Sequence, residues 1–265
     1  MINLKKVSGL PVSVTPDYHL KFSEPLKDRE PTFVRKFSEM KPVLMDKNTK
    51  PEREEVYYVY RNIALPEHAD LIAKNQLEYD ITILPPGKLG QEFNKTLGHY
   101  HANIPGSHTA HPELYEVLHG EGLFLLQKMD PDFKQVITVL VTQAKAGDKI
   151  VYPPNYGHII INIGREPLVT ANWLSTSYKP LYEPVAKLAG MAYYVVADKD
   201  QPYKFVPNKD YSEIPEVREI SHKFMTNFPI TGTKPMYTEG MFDPKRLEFL
   251  NKPDAYAVEL SSITS

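Results

Sequence analysis

Between residues 56 and 198 the apolar positions show little helical periodicity. They gather in short runs rich in β-branched and aromatic residues. The first is "VYYVYRNI" at 56–63. Others follow at 79–85, 97–102, 113–120, 122–129, 135–142, 149–153, 158–164, 167–174 and 191–198. Turn signals such as "DPDFK" and "AGDK" separate them. Many short strands at fairly even spacing predict an all-β sandwich or closed barrel.

The flanks differ. Residues 1–31 are polar and proline-punctuated, and read as an N-terminal arm lying over a core or a neighbouring subunit. Residues 32–200 form the β domain. Residues 201–265 read as an extension that packs on the barrel or on a dimer partner. Within it, "QPYKFVPNKDYSEIPEVREI" and "NFPITGTKPMYTEG" are loop-like. "DPKRLEFLN" at 243–251 predicts a short helix, with Asp243 as N-cap and Pro244 at the first position.

Composition sharpens this picture. The 24 prolines cut helices short and the 17 tyrosines favour strands. A net charge of −2 gives no electrostatic case for nucleic acid or an anionic membrane as partner. With no cysteine in the chain, a bound metal must be held by His, Asp, Glu or water. The start, "MINLKKVSGLPVSV", lacks the apolar run of a signal peptide, and no stretch is apolar enough for a membrane span. The expectation is a soluble, cytoplasmic protein.

Five of the nine histidines fall in "GHYHANIPGSHTAHPELYEVLHGEG", residues 98–122. On a strand, His99 and His101 point to the same face, as a metal site on a barrel wall needs. Alternation sets Glu113, Tyr115 and Val117 on one face of the next strand and Leu114, Glu116 and Leu118 on the other. Periodicity alone leaves open which face lines the cavity. His158 opens the apolar strand "HIIINIG" after a proline-rich turn. His108 and His111 lie in a Pro/Gly/Ser/Thr loop and read as flexible surface residues, with a lid as the other reading. His119 reads as structural. The order Gly147, Pro153, His158, Asn162 matches the second cupin motif, and HxH followed by Glu113 and Gly120 matches the first.

Through "VRKFSEMKPVLMD", "VYYVY", "ITILPPGKLGQEFNKTLGHYH", "PELYEVLHGEGLFLLQ" and "VYPPNYGHIIINIG", the chain resembles the cupin-type glucose-6-phosphate isomerases over about residues 32–175. The resemblance implies a cupin jelly-roll barrel. It implies one divalent ion per subunit (Fe, Mn, Ni or Zn) on His99, His101, Glu113 and His158. It implies a phosphate pocket of Tyr60, Thr82, Thr96 and Gly98, with Tyr182 as a candidate substrate contact. Glu113 is the implied proton carrier and Tyr115 its helper. Two departures stand out. "ANIPGSHTAHP" is longer than the family's usual link between the second histidine and the glutamate, and the segment after the last barrel strand, "NWLSTSYKPLYEPVAKLAG", has no histidine, so that Tyr178 is a candidate substitute.

The expected activity is interconversion of glucose 6-phosphate and fructose 6-phosphate. A mannose-6-phosphate or dual-specificity isomerase would keep the same ligands. An iron dioxygenase would keep them too, but would not need Thr82 and Thr96. A non-catalytic sugar-phosphate-binding cupin would bind without turnover. A homodimer is expected by analogy with other cupins.

Overall fold

The computed structural model describes residues 1–221 and 233–264. Its arm holds β1 (Ile2–Asn3), β2 (Val12–Val14) and β3 (Leu20–Phe22). Next come β4 (Phe33–Lys36), β5 (Glu55–Tyr60), β6 (Leu77–Leu84), β7 (Lys88–Leu89), β8 (Glu92–Phe93) and β9 (Tyr100–His101). The central run is β10 (Glu113–His119), β11 (Glu121–Met129), β12 (Val136–Lys145), β13 (Lys149–Tyr152), β14 (Tyr156–Ile161) and β15 (Leu168–Ser175). Last come β16 (Pro180–Leu181), β17 (Tyr193–Val196), β18 (Lys204–Pro207) and β19 (Val217–Glu219). Helices are short, the longest α-helix among the described residues being Met236–Phe242.

A six-stranded sheet, β13-β10-β15-β6-β5-β4, faces a four-stranded sheet, β14-β11-β12-β19. Among the described residues, all strand pairings are antiparallel except β12 with β19. Strand register decides what each face carries. Val59 pairs with Thr82 on one face, while Tyr58 pairs with Ile83 and Tyr60 with Ile81 on the other. Across β15, Asp80 opposes Asn172 and Tyr79 opposes Trp173. Tyr115 in turn opposes Asn172, and Leu114 opposes Trp173. Because side chains alternate, the inner face collects Tyr57, Val59, Asp80, Thr82, Glu113, Tyr115 and Asn172. The outer face collects Tyr58, Tyr60, Tyr79, Glu116 and Trp173.

Both terminal segments cover that outer face. In the arm, Leu20 N–H donates to the Tyr60 hydroxyl at 3.0 Å, and Phe22 packs on the same ring at 5.8 Å. In the extension, Tyr237 stacks on Trp173 at 5.8 Å and meets Tyr79 edge-on at 5.1 Å. The Trp173 indole N–H donates to Met236 O at 3.3 Å. Trp173, Tyr79 and Tyr237 are all fully buried, each worth roughly 2–3 kcal/mol of transfer free energy. At that scale the extension is part of the folded unit. Its predicted short helix is a 3₁₀ helix, Pro244–Leu250, whose first turn is capped by the Asp243 carboxylate on Lys245 N–H. Residues 227–232 of the predicted loop lie outside the described residues.

Candidate metal centre

Strand register brings four of the predicted residues to one point between the sheets. His99, His101, Glu113 and His158 each offer a donor atom, and these atoms all lie within 4.8 Å of one another. Three different stretches of chain supply them. His99 and His101 come from the stretch beside β14, where His99 and His158 form a bridge through His158 N–H to His99 O at 3.0 Å. Glu113 begins β10 and His158 lies in β14.

The predicted strand at 97–102 shrinks to two residues. Gly98 is the reason: its φ of +86° breaks the extended backbone, and a Cβ there would stand 2.4 Å from Ile159 Cγ2. Tyr100 points away from its two histidine neighbours. It packs over Gly157, and its hydroxyl accepts from Gln127 Nε2 at 3.0 Å.

Burial pushes the His99 imidazolium well below its usual range, and the positive charge of His158 and His101 pushes the same way. Burial likewise takes His101 down to about 4, against the pull of Glu113. Both rings are therefore neutral at pH 7, and neutral rings are the metal-binding form. For Glu113, burial works to raise the carboxyl, but contact with His158 and attraction to the protonated form of His101 outweigh it and hold it below the usual value. A carboxylate results. Tyr115 and Tyr152 are both raised, first by burial and then by the Glu113 charge, and keep their protons.

The polar atoms of this cluster fit a cation. His101 Nε2 lies 3.2 Å from His99 Nε2. His158 Nε2 lies 3.0 Å from Glu113 Oε2, yet neither atom has a hydrogen-bond partner among the described residues. A buried imidazole nitrogen and a buried carboxylate oxygen left without hydrogen-bond partners are costly, and a shared positive ion removes the cost. Three imidazole nitrogens and one carboxylate oxygen are a donor set for a first-row divalent metal. Glu113 Oε1 is held separately, accepting from Asn172 Nδ2 at 3.3 Å.

A pocket opens beside the cluster. Thr82, Thr96, Gly98, Tyr115 and Tyr182 line it, as do Tyr57, Arg61, Asp80 and Tyr178. Thr96 Oγ1 accepts from Ile160 N–H at 3.0 Å, which ties its segment to β14. The rings of Tyr182 and Tyr178 pack against His99 and His101 at 5.2 and 5.1 Å.

The expectation for Tyr60 is corrected. Its side chain lies on the outer face under the arm, because it shares that face with Ile81 and not with Thr82. The tyrosine of "VYYVY" that faces the pocket is Tyr57, whose hydroxyl accepts from Arg35 Nε at 3.0 Å. The surface-loop expectation for His111 is corrected as well: it is buried, and its Nδ1 bonds to Leu250 O at 2.8 Å. His108 is exposed. His119 sits at the strand end, 3.9 Å from Glu166.

Sequence reasoning passed over Arg61, Asp80 and Asn172. Arg61 Nη2 donates to the Tyr178 hydroxyl at 3.1 Å, and its Nε lies 3.8 Å from Asp80. One of the three had a usable signal: Asp80 stands two positions before the predicted Thr82 on one strand, and so shares its face. Arg61 sits beyond the end of β5, where alternation offers no guide.

Two facing β sheets around a three-histidine, one-carboxylate cluster define a cupin barrel. A family model for glucose-6-phosphate isomerase (GPI) matches residues 34–212. The chain belongs to the glucose-6-phosphate isomerase family. Among curated relatives, the glucose-6-phosphate isomerase of Pyrococcus furiosus is 31% identical over 138 residues, covering 51% of this chain and 66% of the relative. That of Thermococcus gammatolerans is 33% identical over 140 residues, 51% of this chain and 65% of the relative. That of Sinorhizobium medicae is 30% identical over 135 residues, 51% of this chain and 58% of the relative. The match therefore spans a little under two thirds of these relatives' length. Among solved structures, oxalate decarboxylase from Bacillus subtilis at pH 4.6 aligns with a TM-score of 0.35 at 21% identity, over 51% of this chain and 29% of that one. Vicilin from Corylus avellana aligns with a TM-score of 0.35 at 13% identity, over 50% of this chain and 34% of that one. No helix among the described residues is long and apolar enough to cross a membrane.

Proposed function

We propose that this protein is a metal-dependent aldose–ketose isomerase that interconverts glucose 6-phosphate and fructose 6-phosphate. The observation that carries the reading is one pocket lined by His99, Glu113, His158, Thr82, Thr96, Gly98 and Arg61. The first three, with His101, would hold the ion. Thr82, Thr96, the Gly98 backbone N–H and the Arg61 guanidinium would hold the phosphate.

A divalent cation in this donor set supplies Lewis-acid stabilisation for the negative charge that develops beside a carbonyl. Glu113, ionised in the resting protein, takes the proton from C2 of the open-chain aldose and returns it to C1. The C2–H bond breaks, a C1–H bond forms, and the hydroxyl proton passes from O2 to O1. Asn172 donates to Glu113 Oε1 and so fixes the plane of the carboxylate. Tyr115 keeps its proton and donates to the sugar oxygens near Glu113. Tyr178 and Tyr182 shield the pocket beside the ligating rings.

The test is a coupled assay on fructose 6-phosphate after chelation and after adding back Fe²⁺, Mn²⁺, Ni²⁺ or Zn²⁺. Activity should vanish on chelation, return with metal, and be lost in Glu113→Gln and His158→Ala. Activity that survives both substitutions ends the reading.

A further inference from the structure

The segment between His101 and Glu113 is tied down along its length. Ala110 N–H donates to Asn155 Oδ1 at 2.8 Å, and Asn155 Nδ2 donates to His108 O at 3.1 Å. Ser107 Oγ donates to Asp254 Oδ2 at 3.0 Å, and Thr109 Oγ1 donates to the other oxygen of the same carboxylate. His111 is buried, and its Nδ1 donates to Leu250 O at 2.8 Å. The carbonyl of that same residue accepts from His101 Nδ1 at 2.7 Å. Leu250 is itself fully buried with Leu247 and Phe249. Leu250 and Asp254 both lie in the C-terminal extension, beyond residue 212, where the family match stops.

We infer that the C-terminal extension is a positioning element of the metal site, which holds His111 through Leu250 and, through the His111 carbonyl, fixes the ring of His101. The chemistry of the bonds requires this direction. A carbonyl only accepts, so His101 must carry its proton on Nδ1. Its Nε2 lone pair is then aimed at the cluster. A ligating imidazole held this way is both oriented and made more basic. His158 differs, since its Nδ1 has no hydrogen-bond partner among the described residues. Of these two rings, His101 is the one whose aim depends on a distant part of the chain. His111 is a positioning residue: it does not reach the reacting atoms.

The inference rests on the metal-site reading, and the test separates the two. Co²⁺ binding to metal-free full-length protein is measured by competition with a chelator and by the visible spectrum of the bound ion. Wild type that binds no Co²⁺ brings down the metal site itself. If wild type binds, His111→Phe keeps the buried ring but removes the donor. It should lose about 10- to 100-fold in Co²⁺ affinity, with an altered spectrum. His111→Asn, whose Nδ2–H stands where Nδ1–H stood, should recover most of the loss. Wild-type affinity and spectrum in His111→Phe overturn the inference, as does His111→Asn as weak as His111→Phe. Should His111→Phe not fold, His111→Leu, a smaller apolar side chain that also lacks the donor, carries the test. A several-fold loss of affinity supports the inference, and unchanged affinity overturns it.

Discussion

Replacing Gly98 by alanine tests how tightly the backbone before His99 is set. Two costs add. The first is conformational: at φ +86° an L-residue with a Cβ costs about 1–2 kcal/mol. The second is steric. The new methyl would sit 2.4 Å from Ile159 Cγ2, far inside van der Waals contact. Ile159 is itself buried, so relief needs an off-rotamer side chain or a backbone shift, at about 1–3 kcal/mol. The sum is about 2–5 kcal/mol. Gly147 supplies the control. Its φ is +95°, and a Cβ there meets nothing within 4 Å, so Gly147→Ala carries the conformational cost alone. The assay is urea unfolding of the metal-free proteins at constant m-value. Gly98→Ala should be less stable than Gly147→Ala by more than about 1 kcal/mol, the low end of that steric cost. Equal destabilisation would refute the steric account of Gly98.

Arg61→Met should raise KM for the sugar phosphate about 10- to 100-fold with kcat little changed, since a charge-assisted bond of about 1.5–3 kcal/mol to the phosphate is lost; an unchanged KM contradicts the assignment. Glu116 tests the outer face. Burial pushes it up to about 7 from 4.5, although Lys149 lies 3.1 Å away. Folded protein therefore keeps this proton while the unfolded chain has already released it, so stability falls as pH rises from about 4.5 to about 7, by about 3 kcal/mol. Glu116→Gln should flatten that part of the stability curve, because the variant has no proton to lose and Lys149 keeps its bond to Lys234 O at 2.9 Å. A slope in Glu116→Gln equal to that of wild type rejects this source.

The strands were legible because their chemistry is local. Runs such as 113–120 and 122–129 carry β-branched and aromatic residues between turns, and the observed β10 and β11 differ from them by a residue or so. His99, His101, Glu113 and His158 stood out for a different reason, their spacing against the cupin motifs. What failed depended on register or on distant chain. Tyr57, Tyr58 and Tyr60 are chemically alike, and only pairing with β6 decides which one shares the face of Thr82. His111 sits among Pro, Gly, Ser and Thr, and its burial comes from Leu250, which lies 139 residues away. Glu116 gave no sign of its face until the extension brought Met236 N–H within 3.0 Å of its carboxylate.

The central claim is that Glu113 carries a proton between the two sugar carbons in this pocket. Turnover of fructose 6-phosphate in deuterated water, followed by analysis of the glucose 6-phosphate formed, tests it most directly. Because the proton held on the Glu113 carboxyl exchanges with solvent before it is delivered, the account predicts deuterium at C2 in the metal-loaded wild type and no turnover in Glu113→Gln. Full retention of the substrate's own hydrogen at C2, the mark of an internal hydride shift, would contradict it.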